Sequence, residues 1–281
     1  MRFPTALGTF SALVMTSVGL AACGLSGGKV ESVTITRANY QPFGANYRGV
    51  SFGRTTQYFD EQPTETDFGL EYFISTDVAV AGAGEGLAAT FVLDSVLLLA
   101  GATGGVSVAQ VDSARATTFR ANMARDGRLT DFVGGGLSGS LARELADRVL
   151  RPFFPILPEQ GAETGAVWAD TVETQVVVNG LDNSIRMLSE HSAIAWTLHA
   201  GERALHVISV SNYAFSGSGT QSGRSFTIDG NGRRHIHSYL SESGRYLGLV
   251  SADTSDGEAH ITDMEMIIPI HQTRLDSLSI R

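Results

Sequence analysis

From Val167 to the C-terminus, short stretches of alternating apolar and polar residues recur at nearly regular intervals: "AIAWTLH", "ALHVISVS", "SFTIDG", "RHIHSYL", "YLGLVSA" and "HITDMEMIIPI". Between them fall "AGER", "DGNG", "SESG" and "SDGE", which read as turn signals. A period of two residues is that of a strand with one buried face, and short connections favour antiparallel neighbours in chain order. The expected fold class is therefore mainly β, an antiparallel meander in one or more sheets, half-barrel or sandwich-like.

The first half of the chain carries the same signal less evenly. "DFGLEYFIS" and "ATFVLDSVLLLAG" are bounded by glycines and rich in β-branched and aromatic residues. In "TTFRANMARDGRLTDFV", Phe119, Ala121 and Met123 share a face, Asp126-Gly127 suits a two-residue hairpin turn, and the next strand is expected to leave from Arg128. Between Gln41 and Asp67 the alternation is broken by glycine, proline and acids, which leaves irregular strands or a long loop. The segments "FRANMARDGRLTDFV" and "IHSYLSESGRYLGLV" align without a gap, Gly127-Arg128 on Gly244-Arg245, a faint echo between two halves.

One amphipathic helix stands out. At about 100° per residue, Leu141, Ala142, Leu145, Ala146, Val149 and Leu150 fill one half of the wheel, and Arg143, Glu144, Asp147, Arg148 and Arg151 the other. Glu144 with Arg148 and Asp147 with Arg151 are acid-to-base pairs four apart, Ser138 or Ser140 can cap the start, and Pro152 ends it. It is expected to pack across a sheet. "PFFPILPE" follows as an extended apolar crossing. This gives a single β-rich domain over 30–281, divisible into halves 30–137 and 166–281 that are joined by helix 138–151 and the proline-rich crossing.

Composition narrows the function. With 43% hydrophobic and 17% charged residues, the chain has ample material for a core. Its net charge of −9 and single lysine, Lys29, exclude nucleic acid as a natural partner. One cysteine permits neither an internal disulfide nor a thiolate metal cluster. There is no Gly-x-Ser-x-Gly nucleophile elbow. Gly84, Gly86 and Ala89 match a loose dinucleotide pattern, but the residues that follow read as a strand rather than the required helix. His235 and His237 project to one face at a spacing a metal could bridge, without a third ligand and beside Arg233 and Arg234. "DTSDGE" lacks a calcium loop and reads as a hairpin turn. No catalytic residue, cofactor site or metal site is expected.

Residues 1–22 hold one positive side chain, Arg2, and then a mostly apolar stretch, the build of an export signal. The stretch ends in Leu20, Ala21, Ala22 and Cys23, which resembles the lipobox of bacterial lipoproteins. That resemblance implies cleavage before Cys23, a diacylglycerol on its thiol and acylation of the new N-terminus, with 23–29 as a lipidated tether. Gly24, where aspartate would favour the inner membrane, implies an outer-membrane location facing the periplasm. An ordinary signal peptidase site after Ala21, or retention as a short membrane helix, are the competing readings.

A lipobox, an antiparallel sheet and a lone amphipathic helix together look similar to the lipid-carrier lipoproteins of the bacterial envelope, the LolA, LolB and LppX type. The resemblance implies an unclosed half-barrel covered by helices, with Leu141, Leu145, Val149, Phe153 and Phe154 lining a pocket for a lipid or other hydrophobic small molecule. A structural or protein-interaction lipoprotein, in which the same side chains form solid core, is the alternative, and an anchored hydrolase the third.

Overall fold

The computed structural model describes residues 36–281 apart from 83–85, 102–105, 136–139, 179–180 and 222–223. The signal segment, Cys23, the tether, Gly84 and Ser138 lie outside the described residues. Among the described residues the chain forms eleven strands: β1 Phe43–Phe59, β2 Gln62–Val80, β3 Leu87–Leu98, β4 Thr117–Met123, β5 Leu129–Gly134, β6 Val167–Val178, β7 Leu181–His199, β8 Glu202–Gln221, β9 Arg224–Ser241, β10 Tyr246–Ile261 and β11 Met266–Ile280. All pair antiparallel in one sheet of order β5-β4-β3-β2-β1-β11-β10-β9-β8-β7-β6, with β5 and β6 as unpaired edges. The two halves are thus joined in the middle of the sheet, where β1 pairs with β11 from Tyr47↔Ile280 to Gln57↔Ile270. The arrangement is an open half-barrel of one sheet, and not a two-sheet sandwich.

The sheet curls around an aromatic core. The Phe153 ring lies 5.2 Å from Phe91 on β3 and 5.4 Å from Tyr246 on β10. In a flat sheet those strands, four spacings apart, would be separated by roughly 19 Å. One phenyl ring touching both requires strong curvature. Tyr47 on β1 also donates from its hydroxyl to the Tyr246 carbonyl at 2.7 Å, across β11. Burial separates the faces accordingly. Over Arg224–His237, inward side chains are half-buried and outward ones exposed, although no described helix covers them.

The crossing after the helix plugs one end of this curve. Phe153 and Phe154 insert between Tyr47, Phe91 and Tyr246. Its backbone is tied on both sides: Tyr40 donates to the Pro155 carbonyl at 2.9 Å, Trp168 Nε1 to that of Ile156 at 2.8 Å, and the Leu157 amide to that of Asp126 at 2.8 Å. Each bond satisfies a group that burial would otherwise leave unpaired.

Two helices sit over this end. α1, Val108–Ala114, is one that sequence pattern did not suggest: seven residues are too few for a periodic stripe, but Ser107 and Gln110 form a reciprocal capping box. α2, Leu141–Leu145, starts at Ser140, whose hydroxyl accepts from the Arg143 amide at 3.3 Å. It continues as a π-helical turn, Ala146–Leu150, in which the Arg151 amide bonds the Ala146 carbonyl at 2.9 Å. The expected helix across the sheet is present, with one of its charge pairs altered. Asp147 bridges Arg143 and Arg151 at 3.3 and 2.5 Å, while Glu144 and Arg148 do not close an ion pair. The wider π turn rephases the helix surface. Arg148 stays exposed, within electrostatic reach of Arg274, Glu144, Asp276 and Arg234.

Several expected turns are strand interior. "DGNG" lies within β9 and "SDGE" within β10, paired in register as Gly230↔Gly257 and Gly232↔Ser255. These glycines are flat spaces for rings from β8: a Cβ on Gly232 would strike Tyr213, and one on Gly230 would strike Phe215. The same device explains 41–67, which is the regular hairpin β1–β2 and not a loop: Tyr72 and Phe68 of β2 cover Gly49 and Gly53 of β1. The Asp126-Gly127 hairpin also has a longer connection than two residues. β4 ends at Met123 and β5 begins at Leu129, with the Ala124 amide donating to Arg128 at 2.9 Å and Asp126 Oδ1 accepting from the Arg128 amide at 2.9 Å. The turn at Ser241–Arg245 repeats it: Ser241 donates to Arg245 at 2.8 Å, and Gly244, like Gly127, has a positive φ, 83° against 96°. The faint echo between the two segments is thus a shared turn geometry.

Candidate functional site

Following the register across the concave face gives rows of side chains that point the same way. Nearest the plug the rows are apolar and buried, Tyr47, Ile74 and Leu93 among them. Two rows further out the chemistry changes. One row runs Asp276, Ser251, Ile236, Ser209, His191 and Trp168. The next runs Arg274, Asp253, Arg234, Ser211, Ser189 and Asp170. Together they make a polar belt across six strands in the interior of the curve.

The belt satisfies most of its own charges. Asp253 accepts from Arg234 at 2.8 Å and from the Tyr213 hydroxyl at 2.6 Å. Burial, followed by the adjoining carboxylate, pushes the Tyr213 phenol well above its ordinary pKa. Arg274 donates to Asp276 at 2.8 Å, and Ser251 donates to the other oxygen of that carboxylate at 3.3 Å. Ser189 and Ser211 share a hydrogen bond at 2.9 Å. Arg148, exposed on the π turn, has no hydrogen bond or ion pair among the described residues. Its surface stays wet, yet the surrounding protein displaces enough water to lower its pKa, and the Arg274 charge lowers it further.

At the β6 end the belt brings together Asp170, His191 and Ser209. His191 Nδ1 lies 2.7 Å from Ser209 Oγ, its Nε2 faces Asp170 Oδ2 at 3.4 Å without making a hydrogen bond, and Trp168 stacks on the ring at 5.2 Å. The composition is that of a hydrolytic triad, but the surroundings are not. Ser209 is 3% exposed, and β8 is paired on both edges, so its backbone amides are engaged in the two ladders. An acyl-transfer site needs free donors aimed at the developing oxyanion. The trio therefore fits a buried polar ladder better than a nucleophilic site.

Beyond the belt the face turns apolar again. Met187 and Val172 follow with Tyr213, then Ile270, Phe215 and Ile185, then Ile268, Ala259 and Ile228, and lastly Met266, Ile261 and Phe226. Many of these are half-buried with no described segment over them.

Of the side chains singled out as ligand contacts, Leu141, Leu145, Phe153 and Phe154 are 5%, 7%, 1% and 4% exposed and belong to the packed core, with half-buried Val149 against it. They stand on the plug side of the belt. Sequence pattern did not point to the belt or to the outer rows. The available signal was parity, since Ser251, Asp253 and Ser255 occupy the inward positions of β10.

His235 and His237 do share a face, the outer one, where His237 Nδ1 lies 3.0 Å from His206 Nε2 and Tyr239 stacks between His206 and His199. Burial, and then the His237 and His199 rings, lower the pKa of His206. Among the described residues no three His, Cys, Asp or Glu side chains gather to hold a metal ion. A polar hollow of about 390 Å³ on the outer side, lined by Asn46, Ser75, Asp94 and Arg281, stands apart from the belt. No protein-family model matches this chain, and no curated protein matches it at a significant level.

Proposed function

We propose that this protein is a lipid-anchored bacterial envelope lipoprotein, non-enzymatic, that holds a hydrophobic small molecule on the concave face of its sheet. The address rests on the Leu20-Ala21-Ala22-Cys23 lipobox, with Gly24 favouring the outer membrane. The observation that carries the binding role is the set of half-buried apolar rows beyond the polar belt, left uncovered by any described segment on the inner side of a curved sheet. Surface of this kind costs about 25 cal/mol per Å² to keep in water, and an apolar ligand removes that cost. The solid aromatic packing around Phe153 favours a second reading, a structural or interaction lipoprotein. It concerns the plug end alone and does not extend to the open rows.

Mass spectrometry of the protein extracted gently from its native membrane tests both parts. The expected result is a triacylated N-terminal Cys23 and a stoichiometric co-purifying hydrophobic molecule. An unmodified thiol removes the anchor, and protein free of any such molecule removes the binding role.

A further inference from the structure

We infer that two copies of this chain join edge to edge, β6 against β6, in an antiparallel seam centred on Val172. This goes beyond the binding role proposed above and does not depend on it.

The two edges of the sheet are not alike. β5 has six residues, its register with β4 shifts between Arg120 and Asn122, and Asp131 in its middle has a left-handed φ of 51°. Breaks of this kind keep an edge from recruiting another strand. β6 has twelve residues in unbroken register with β7, with no lysine, proline or bulge. Val167, Ala169, Thr171, Val172 and Glu173 are exposed, and no described strand pairs with its outer side. The Ala193 amide donates to the Ala166 carbonyl at 2.9 Å, so the even-numbered residues face β7, and the amides and carbonyls of Ala169, Thr171 and Glu173 turn to the open edge.

A second copy suits this edge better than an arbitrary strand does. In the two-fold register that uses β6 from end to end, Val172 meets its own copy, Asp170 faces Thr174 and Glu173 faces Thr171. Each carboxylate thus stands opposite a hydroxyl, and no like charges oppose. An axis at Asp170 or Glu173 would set a carboxylate against its own copy, and one at Thr171 would set Asp170 against Val172. Asp170 also lacks a donor: its buried Oδ1 has no hydrogen-bond partner among the described residues, a condition folded proteins seldom leave. The register places Thr174 of the second copy opposite that side chain. Inward residues meet inward residues throughout, so the two concave faces continue as one trough.

The test uses the full chain carrying Cys23→Ser, which removes the sole cysteine, and reads mass by sedimentation equilibrium. A monomer–dimer equilibrium in the micromolar range is expected. Thr171→Pro deletes an amide that the chain's own ladder does not use, so it should weaken the dimer about tenfold or more and leave the urea midpoint unchanged. Thr171→Lys, set opposite Glu173 of the second copy, should tighten the dimer, and Thr171→Glu should loosen it. Mild oxidation reads the register: Val172→Cys should yield a disulfide-linked dimer, because residue 172 alone meets its own copy at close range, and Thr174→Cys on the same face should not. A full chain that stays monomeric, whether its edge is bare or covered by its own residues 24–35, overturns the inference. So does a dimer that Thr171→Pro leaves intact, or cross-linking at 174 as ready as at 172. Each of these readouts is independent of ligand, so the binding role stands or falls by its own experiment.

Discussion

Replacing Phe153 with alanine probes whether the plug is core or ligand pocket. The ring is 1% exposed and has aromatic neighbours at 4.9 Å (Phe154), 5.2 Å (Tyr47 and Phe91) and 5.4 Å (Tyr246). Of these, Tyr47, Phe91 and Tyr246 stand on strands paired on both sides, so the hole cannot easily collapse. Phenylalanine-to-alanine changes in such places cost about 3–5 kcal/mol, growing with the cavity that remains, and here the upper part of that range is expected. A domain of ordinary stability holds about 5–15 kcal/mol, so the variant should fold but unfold at a much lower urea concentration. The assay is equilibrium urea unfolding by circular dichroism and tryptophan fluorescence, with the midpoint shifted and the slope unchanged. A loss under about 1.5 kcal/mol, less than the usual range for core truncation, would refute the reasoning. It would mean the ring borders open space.

Three further outcomes follow from the packing. Gly244→Ala forces a left-handed residue against the Asn39 carbonyl and should cost at least about 1–2 kcal/mol, read from the same unfolding curves. Asp253→Ala strips the partner from half-buried Arg234 and should destabilise more than the double replacement Asp253→Leu with Arg234→Met, because an unpaired charge is left only in the single variant. Tyr40, Tyr47, Tyr72, Tyr213 and Tyr246 have phenol pKa values raised mainly by burial. Their neutral forms are thus favoured by folding, so the stability they contribute is intact below about pH 10, the unfolded value, and lost as pH rises beyond it. In a Tyr58→Phe, Tyr239→Phe background, which leaves only these five, phenolate absorbance at 295 nm should therefore rise together with the loss of circular dichroism, and early ionisation in the folded state would contradict the burial.

Much of the fold can be read from the letters. Where inward positions carry Phe119, Ala121 and Met123, or Leu205 and Val207, alternation is plain and the strands lie where it puts them. It fails where glycine takes the inward position. Gly49, Gly53, Gly230 and Gly232 look like breaks along the chain but are covered by Tyr72, Phe68, Phe215 and Tyr213 from the adjacent strand. One-dimensional pattern cannot register a hydrophobic contribution supplied by a neighbour. The belt was hidden for a related reason: Asp253 looks like a solvent residue until pairing across strands sets Arg234 beside it, whereas Asp276 is held by Arg274 two positions away on its own strand.

The pairing of β1 with β11 also bears on how the chain is made. Tyr47 meets Ile280 more than two hundred residues on, so β1 waits for β11 before its second edge is covered. Through that interval a seventeen-residue strand offers a free edge to any passing chain. A protein with such long-range closure folds slowly and has reason to be escorted until β11 has been made. Truncations that remove only Met266–Ile280 should leave aggregates instead of a slightly shorter sheet.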